Sequence, residues 1–475
     1  MRRVAVRAAA YALGLAGAIA AAGVGGAAAQ PVSPLASAVP DAGGLTLDSV
    51  FAWVLRNHPM ALAADAVAER GPAELQRARG WYDPTVRGSF DRKDYLGSEY
   101  FTYGQGGIAW QTPYAVKLEA GREWADGIFV NPERTVPDAG QAYLSVKVPL
   151  LQGLLRDKYR TDVEQGRVAV ERYAAAAEVI RNELRYDAAV AYTEWAFAKT
   201  RSAAIAETRE LLERYLRNTR ELVALGEKPG VDTVEATVYL VDQAIAAQQA
   251  AVDVQLAAQE LLALYFTLER RDEPDAAALV PTLPLFDRRV ADNPVLAELR
   301  GQAAELELER RLKREYLKPT LDVGYSVLGD GFELAPRGEK VDDRNFLTRA
   351  YKAAAEFRYP ILNRRARGDV ELAEIKLAET AGKLEAKRQE LVAKAEAYGN
   401  AVLVYEAQLP QAERLLEQSR RLLAAEQELF ELGESTQFLL NQRAQSLQKA
   451  FLTRAKLLSA RAKAVWGYRQ AVAEW

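Results

Sequence analysis

Apolar and polar positions along this chain switch between two periods, and the switches come in pairs. In "EYLKPTLDVGYS" (315–326) a charged helical run gives way, after Pro319, to strict alternation. Leu321, Val323, Tyr325 and Val327 fall on one face, and Thr320, Asp322, Gly324 and Ser326 on the other. Such alternation predicts a strand with one apolar and one polar face. The same helix-to-strand junction stands earlier, at "GWYDPTVRGSF" (80–90). Two further alternating runs end in proline. In "QAYLSVKVPLLQG" (141–153), Ala142, Leu144, Val146 and Val148 oppose Gln141, Tyr143, Ser145 and Lys147. In "AYKAAAEFRYPILNR" (350–364), Tyr351, Ala353, Ala355, Phe357 and Tyr359 oppose Lys352, Glu356 and Arg358.

Each of those prolines releases a long helical pattern, Arg156 to Leu225 and Arg364 to Leu432. At 1.5 Å per residue, some 70 residues span about 105 Å, too long for the inside of a compact domain, so each helix is expected to pair along its length. Pro410 is expected to kink the second. Both stop at a glycine turn, Gly226 in "LVALGEKPGVDTVEA" and Gly433 in "LFELGESTQFLLNQR". Shorter helices then return, over 231–268 and 437–475. Leu440, Ala444, Leu447, Phe451, Ala455, Leu458, Ala462 and Val465 form a coiled-coil seam on the second, and Val234, Val238, Val241 and Ile245 begin the same stripe on the first.

The two halves are copies of one unit. Asn57-His-Pro59 and Asp292-Asn-Pro294 each open a helical segment, and each segment closes at a second proline, Pro84 and Pro319, 25 residues on. Ala68/Ala303, Glu74/Glu309, Arg79/Arg314 and Thr85/Thr320 coincide at that offset. The first repeat covers 45–268, with strands within 84–149 and a helical hairpin over 155–268. A Pro/Asp/Ala-rich linker, 269–289, leads to the second repeat, 290–475, with strands within 320–359 and a hairpin over 363–475. One alternating segment, "AVKLEAGREW" (115–124), preceded by "GQGGIAW", has no counterpart in the second half and is not placed by the pattern. The fold class is mainly α with a β part: coiled-coil helices forming an α-barrel sector, plus a few antiparallel strands.

Composition narrows the chemistry. The 475 residues contain no Cys and one His, His58 at a His-Pro step, which excludes disulfides, thiol chemistry and Cys/His zinc sites. No cofactor, metal or catalytic residue is assigned, and an enzyme finds no motif to support it. Residues 1–29 read as a secretory signal with Arg2, Arg3 and Arg7 at its positive end and cleavage at Ala29/Gln30, followed by a linker to residue 44. Losing those three Arg takes the formal net charge from −3 to −6, which leaves no basic footprint for nucleic acid. Past the leader there is no apolar run of about 18 residues, so membrane insertion requires a closed sheet. One chain has too few strands to close one. A ring of identical chains would, with polar faces on a wet lumen and apolar faces on lipid. Trp81, Tyr82, Trp110, Trp124 and Tyr359 near the strand ends suit a membrane interface.

On these features the chain resembles the TolC family of outer membrane efflux proteins. The likeness covers about 45–475 and rests on "LTLDSVFAWVLRNHP", the two x-Pro-Thr junctions, "VPLLQG" and "YPILNR", the glycine turns, "QLPQAERLL" and the duplication. It implies a homotrimer in which each copy gives four strands to a 12-stranded outer membrane barrel and helices to a periplasmic tunnel. The tunnel tip would meet a periplasmic adaptor protein and, through it, an inner-membrane pump. Contact or aperture positions at the tip would be Gly226, Glu227, Val231, Asp232, Gly433, Glu434, Ser435 and Thr436. The second turn offers no Asp to match Asp232, which leaves Glu434 as the substitute and weakens any reading of a cation-binding carboxylate ring. The alternative reading is a periplasmic coiled-coil adaptor; it would need one helical hairpin within β-rich flanks, where this chain has two hairpins.

Overall fold

The computed structural model describes residues 44–267, 272–275, 280–282, 290–329 and 350–475. The leader assigned to 1–29, the linker up to residue 43 and most of the 269–289 linker lie outside them. The two repeats appear in full sequence order. The first runs α1 (Leu47–Asn57), α2 (Pro59–Arg79), β1 (Thr85–Tyr95), β2 (Ser98–Gln111), β3 (Lys117–Asp126), β4 (Gln141–Pro149), α3 (Lys158–Ala224) and α4 (Val231–Leu262). The second runs α5 (Pro294–Glu315), β5 (Thr320–Leu328), β6 (Tyr351–Arg358), α6 (Arg364–Glu431) and α7 (Gln437–Val472).

The duplicated starts have one physical cause. His58 and Asn293 stand at the N-caps, where Nδ1 of His58 accepts from Met60 N at 3.2 Å and Oδ1 of Asn293 accepts from Val295 N at 3.0 Å. A proline follows in each case at the first helical position, where its missing N–H costs nothing. Helices α3 and α6 have 67 and 68 residues, about 100 Å each. Pro410 lies within α6, which continues past it to Glu431.

The long helices organise two layers. Nearer the sheet, α2 packs on α3, α3 on α5 and α5 on α6; nearer the glycine turns, α4 packs on α3, α3 on α7 and α7 on α6. Both rows therefore hold four helices. Each ends on α6 at one side and on α2 or α4 at the other. Small residues let the rows close up: a Cβ added at Gly71 of α2 would lie 2.6 Å from Val170 Cα of α3. The main core sits halfway along α3, where α1 covers it. Val50, Val54, Tyr192, Trp195, Leu261, Val402, Val465 and Trp466 are all buried there.

The strands form one antiparallel meander in the order β1-β2-β3-β4-β5-β6. The four strands per copy that the resemblance implies are therefore exceeded: the described residues hold six. The unplaced 115–124 segment is the body of β3, and "GQGGIAW" lies in β2. The hairpin evaded the pattern because its alternation is diluted by glycine and alanine on both faces: Gly104, Gly106, Gly107, Ala109, Ala120 and Gly121. Aromatic rings from neighbouring strands fill the gaps. Trp124 lies so close over Gly104 that a Cβ there would sit 2.2 Å from its ring, and a Cβ at Gly121 would meet Tyr143 Oη at 2.8 Å.

The predicted two-faced strands hold at β4, β5 and β6. Ser145 and Ser326 hydrogen-bond at 2.9 Å across the polar face, beside the Lys147–Asp322 pair at 3.8 Å. Leu144 faces Val327 and Val146 faces Tyr325 on the apolar side. One expectation needs correction. The Val234, Val238, Val241 and Ile245 stripe does not close a seam within the chain; these residues are 53–63% exposed. The stripe is genuine, but among the described residues none covers it. The α7 seam behaves as expected, with Leu440, Ala444, Ala455, Ala462 and Val465 buried.

Candidate functional site

The two glycine turns end their helices in the same way. Gly226 has φ +77° and Gly433 φ +81°, the left-handed region where a side chain is strained. Gly226 N donates to Val223 O at 3.0 Å and Glu227 N to Leu222 O at 2.9 Å. Gly433 N donates to Phe430 O at 3.1 Å and Glu434 N to Leu429 O at 2.9 Å. This paired-bond motif satisfies the last carbonyls of each helix.

The turns differ in how the chain restarts. Thr436 caps α7, its hydroxyl accepting from Leu439 N at 3.4 Å. Helix α4 begins after Pro229-Gly230 with no side-chain cap; Thr233 donates to Gly230 O at 2.7 Å, and Asp232 lies in the first turn, where a negative charge complements the helix dipole.

The predicted tip residues divide by exposure. Gly226, Glu227, Val231, Gly433, Glu434 and Thr436 are exposed, while Asp232 and Ser435 are half-buried. Ser435 is occupied: its hydroxyl donates to the buried Glu426, which also accepts from Arg443 Nε at 3.3 Å. Among the described residues there is no group of three or more His, Asp or Glu that could hold a metal ion.

Contacts between the two turns were not visible in the sequence. Lys228 of the first turn sets its ammonium 3.8 Å from the centroid of the Phe430 ring at the end of α6. Thr219 of α3 donates to Gln437 Oε1 at 2.9 Å, and Gln437 Nε2 donates to Asn441 Oδ1 at 3.0 Å. Above them Leu212, Tyr215, Leu423, Leu440 and Ala444 form an apolar cluster, where burial pushes the Tyr215 phenol above its ordinary value. The two hairpins are thus fastened to each other just behind exposed turns.

The second candidate surface is the set of open edges. β1 and β6 end the sheet, and every residue of both is exposed. β1 follows α2 and β6 precedes α6, so the free sheet edges continue the free sides of the helical rows. The α4 stripe is exposed on one side. On the other, α6 exposes Leu372, Ile375, Leu403, Val404, Leu415 and Leu422.

No protein-family model matches the sequence, and no curated protein matches it. Solved structures do match. The CmeC outer membrane channel of Campylobacter jejuni has a TM-score of 0.63 at 13% identity, over 90% of this chain and 85% of that one. CusC gives 0.64 at 13% identity over 92% and 95%, and the open-state MtrE outer membrane channel of Neisseria gonorrhoeae gives 0.65 at 14% identity over 90% and 88%. At such identity what is shared is the fold, which is that of one protomer of the TolC-type outer membrane channels, a helical-barrel sector joined to a β-barrel sector.

Proposed function

We propose that this chain is the passive exit duct of an export system, a tripartite efflux pump or a type I secretion system, assembled as a homotrimer across the outer membrane and periplasm. The observation that carries the reading is the alignment of unsatisfied edges. A sheet edge in lipid leaves backbone N–H and C=O groups without partners, at several kcal/mol each. In this chain the sheet edges, the exposed α4 stripe and the exposed apolar residues of α6 fall on the same two sides. One copy's β1, α2 and α4 can therefore meet the next copy's β6 and α6, a head-to-tail contact that closes a ring. No described helix is long and apolar enough to cross a membrane, so the sheet is the spanning element of this reading. The solved structures that share the fold are outer membrane channels.

Within this reading the exposed turns are the docking end. Gly226, Glu227, Val231 and Asp232 of one turn, with Gly433, Glu434, Ser435 and Thr436 of the other, meet a periplasmic adaptor, itself joined to an inner-membrane pump. The duct performs no reaction; its polar strand faces conduct water-borne cargo. Purified full-length protein added to planar bilayers is expected to give unitary conductance steps, and the protein in cells is expected to fractionate with outer membrane. A chain that gives no steps and stays with the soluble periplasmic fraction contradicts the reading.

A further inference from the structure

Among the described residues the β2–β3 hairpin has no counterpart in the second repeat, and its place decides the size of the exit. We infer that it is part of the membrane wall, so that three copies of six strands close an 18-stranded barrel as wide as the helical tunnel beneath it. The inference rests on the homotrimer proposed above.

Three observations place the hairpin in the wall. The first is length: β2 has 14 residues and β3 has 10, and a tilted strand needs about 9–11 to cross the hydrocarbon layer. The second is depth. The turn between them, residues 112–116, points back toward the helices. Thr85, the first residue of β1, pairs with Ala109, and Lys117 pairs with Lys147 near the end of β4. Trp110 Nε1 donates to Tyr82 O at 2.9 Å, in the turn that follows α2. A hairpin standing above the membrane would carry its inner turn at the opposite end.

The third observation is face. Register carries the two-sided pattern of β4–β6 through β3 and β2 without a slip. Ile108, Trp110, Leu118, Ala120 and Trp124 share the side of Leu144 and Val146, whereas Gln105, Lys117, Glu119 and Glu123 share the side of Ser145 and Lys147. Arg122 interrupts the apolar side near its outer end and turns its guanidinium onto Ala139 O, in the loop before β4. On the polar side Glu119 pairs with Lys117 on its own strand and with Arg87 of β1 at 3.6 Å.

The helices supply an independent check on width. Four helices per copy at either level make twelve around the ring, and at an interaxial distance of about 9 Å the circumference is about 110 Å. Eighteen strands spaced about 4.8 Å apart and tilted about 40° give about 113 Å, where twelve give about 75 Å. The wider sheet continues the tunnel without a shoulder. Its backbone diameter is about 36 Å; side-chain layers of about 5 Å leave a bore of about 26 Å, in the range where barrels of 16–18 strands hold an aqueous channel. The outer membrane segment is therefore not the narrow point for cargo.

The natural absence of cysteine permits a direct test. Four single variants, Gln105→Cys and Glu119→Cys on the polar side, Ile108→Cys and Leu118→Cys on the apolar side, are made in the full chain and assembled in outer membrane. Each is treated with a membrane-impermeant maleimide and, separately, with a lipid-soluble one, and native mass counts the copies in each preparation. The expected result is three copies, with the polar-side pair labelled at least about tenfold faster than the apolar-side pair by the impermeant reagent and the apolar-side pair labelled by the lipid-soluble one. Three copies with all four positions reacting alike with the impermeant reagent would lift the hairpin out of the membrane, overturning the 18-stranded barrel while leaving the duct intact. A copy number other than three overturns the trimeric duct itself. A variant that does not reach the membrane is replaced by Gln111→Cys or Ala120→Cys on the same face.

Discussion

Thr219 on α3 and Gln437 at the start of α7 are hydrogen-bonded at 2.9 Å, in a spot where both side chains are shut off from solvent. They come from different repeats and lie 218 positions apart. The bond therefore fastens hairpin to hairpin, and it does so a few residues behind the exposed turns. Gln437→Ala takes the donor from the Asn441 amide oxygen and the cross-repeat partner from the Thr219 hydroxyl, which keeps Tyr215 O at 2.8 Å, at a cost of about 1–3 kcal/mol. The double variant Thr219→Val with Gln437→Leu removes both ends of the bond and is expected to lose less than the two single variants together. A double-mutant cycle in denaturant-induced unfolding measures the coupling; additive losses would show that the pair does not hold the hairpins together.

Gly226 and Gly433 have open space where a Cβ would be built, so a substitution there meets no steric neighbour and costs only backbone strain. Alanine at either left-handed position is expected to cost about 1 kcal/mol, and asparagine less. Hydrogen exchange of the amides at 222–227 and 429–434 reads this as roughly fivefold faster local opening. Unchanged exchange in both alanine variants would mean that the turns do not depend on the left-handed residue.

Tyr192 is fully buried, and its hydroxyl links Leu45 O and Asp275 N, the latter at 2.9 Å, tying the N-terminal segment and the inter-repeat linker to α3. Burial pushes its phenol up to about 12, with the Asp275 N–H pulling against the rise. A folded value above the unfolded value of about 10 means the neutral form is favoured by folding. That stability is complete below pH of about 10 and drains away as pH rises toward 12. Tyr192→Phe is expected to be less stable than the parent at pH 7 by about 1–2 kcal/mol, through the lost hydrogen bonds, with the gap narrowing between pH 10 and 12. Thermal midpoints at pH 7, 10 and 11.5 check it; a gap independent of pH would contradict the assignment.

Val238 and Val241 on α4 are exposed in the single chain at 63% and 53% and lie on the side proposed to meet the next copy. Val238→Lys with Val241→Lys is expected to abolish assembly without unfolding the chain, because neither residue contributes to its internal core. Size-exclusion chromatography and far-ultraviolet circular dichroism distinguish the outcomes. Intact assemblies carrying both lysines would show that the stripe is not an interface.

Much of this architecture was readable from local periodicity. The proline-headed helices, the two junctions, the glycine turns and the α7 seam each depend on spacing within one segment, and each stands where the pattern put it. The α4 stripe was readable as a pattern but not as a contact, since its apolar residues look the same whether the partner is in the same chain or a sister copy. The β2–β3 hairpin was obscured because glycines at 104, 106, 107 and 121 carry no side chain to mark a face. The marking rings, Trp124 and Tyr143, sit on adjacent strands. The tip was legible in its turns and not in its fastening, because Thr219–Gln437 and Lys228–Phe430 join residues that no local window contains.

In the proposed ring, sister copies satisfy the free edges of sheet and helices on the two sides of each chain. Native mass of the detergent-extracted protein tests this. One species holding three chains is expected, converted to single chains only on denaturation. A monodisperse single chain that stays in solution without detergent would contradict it.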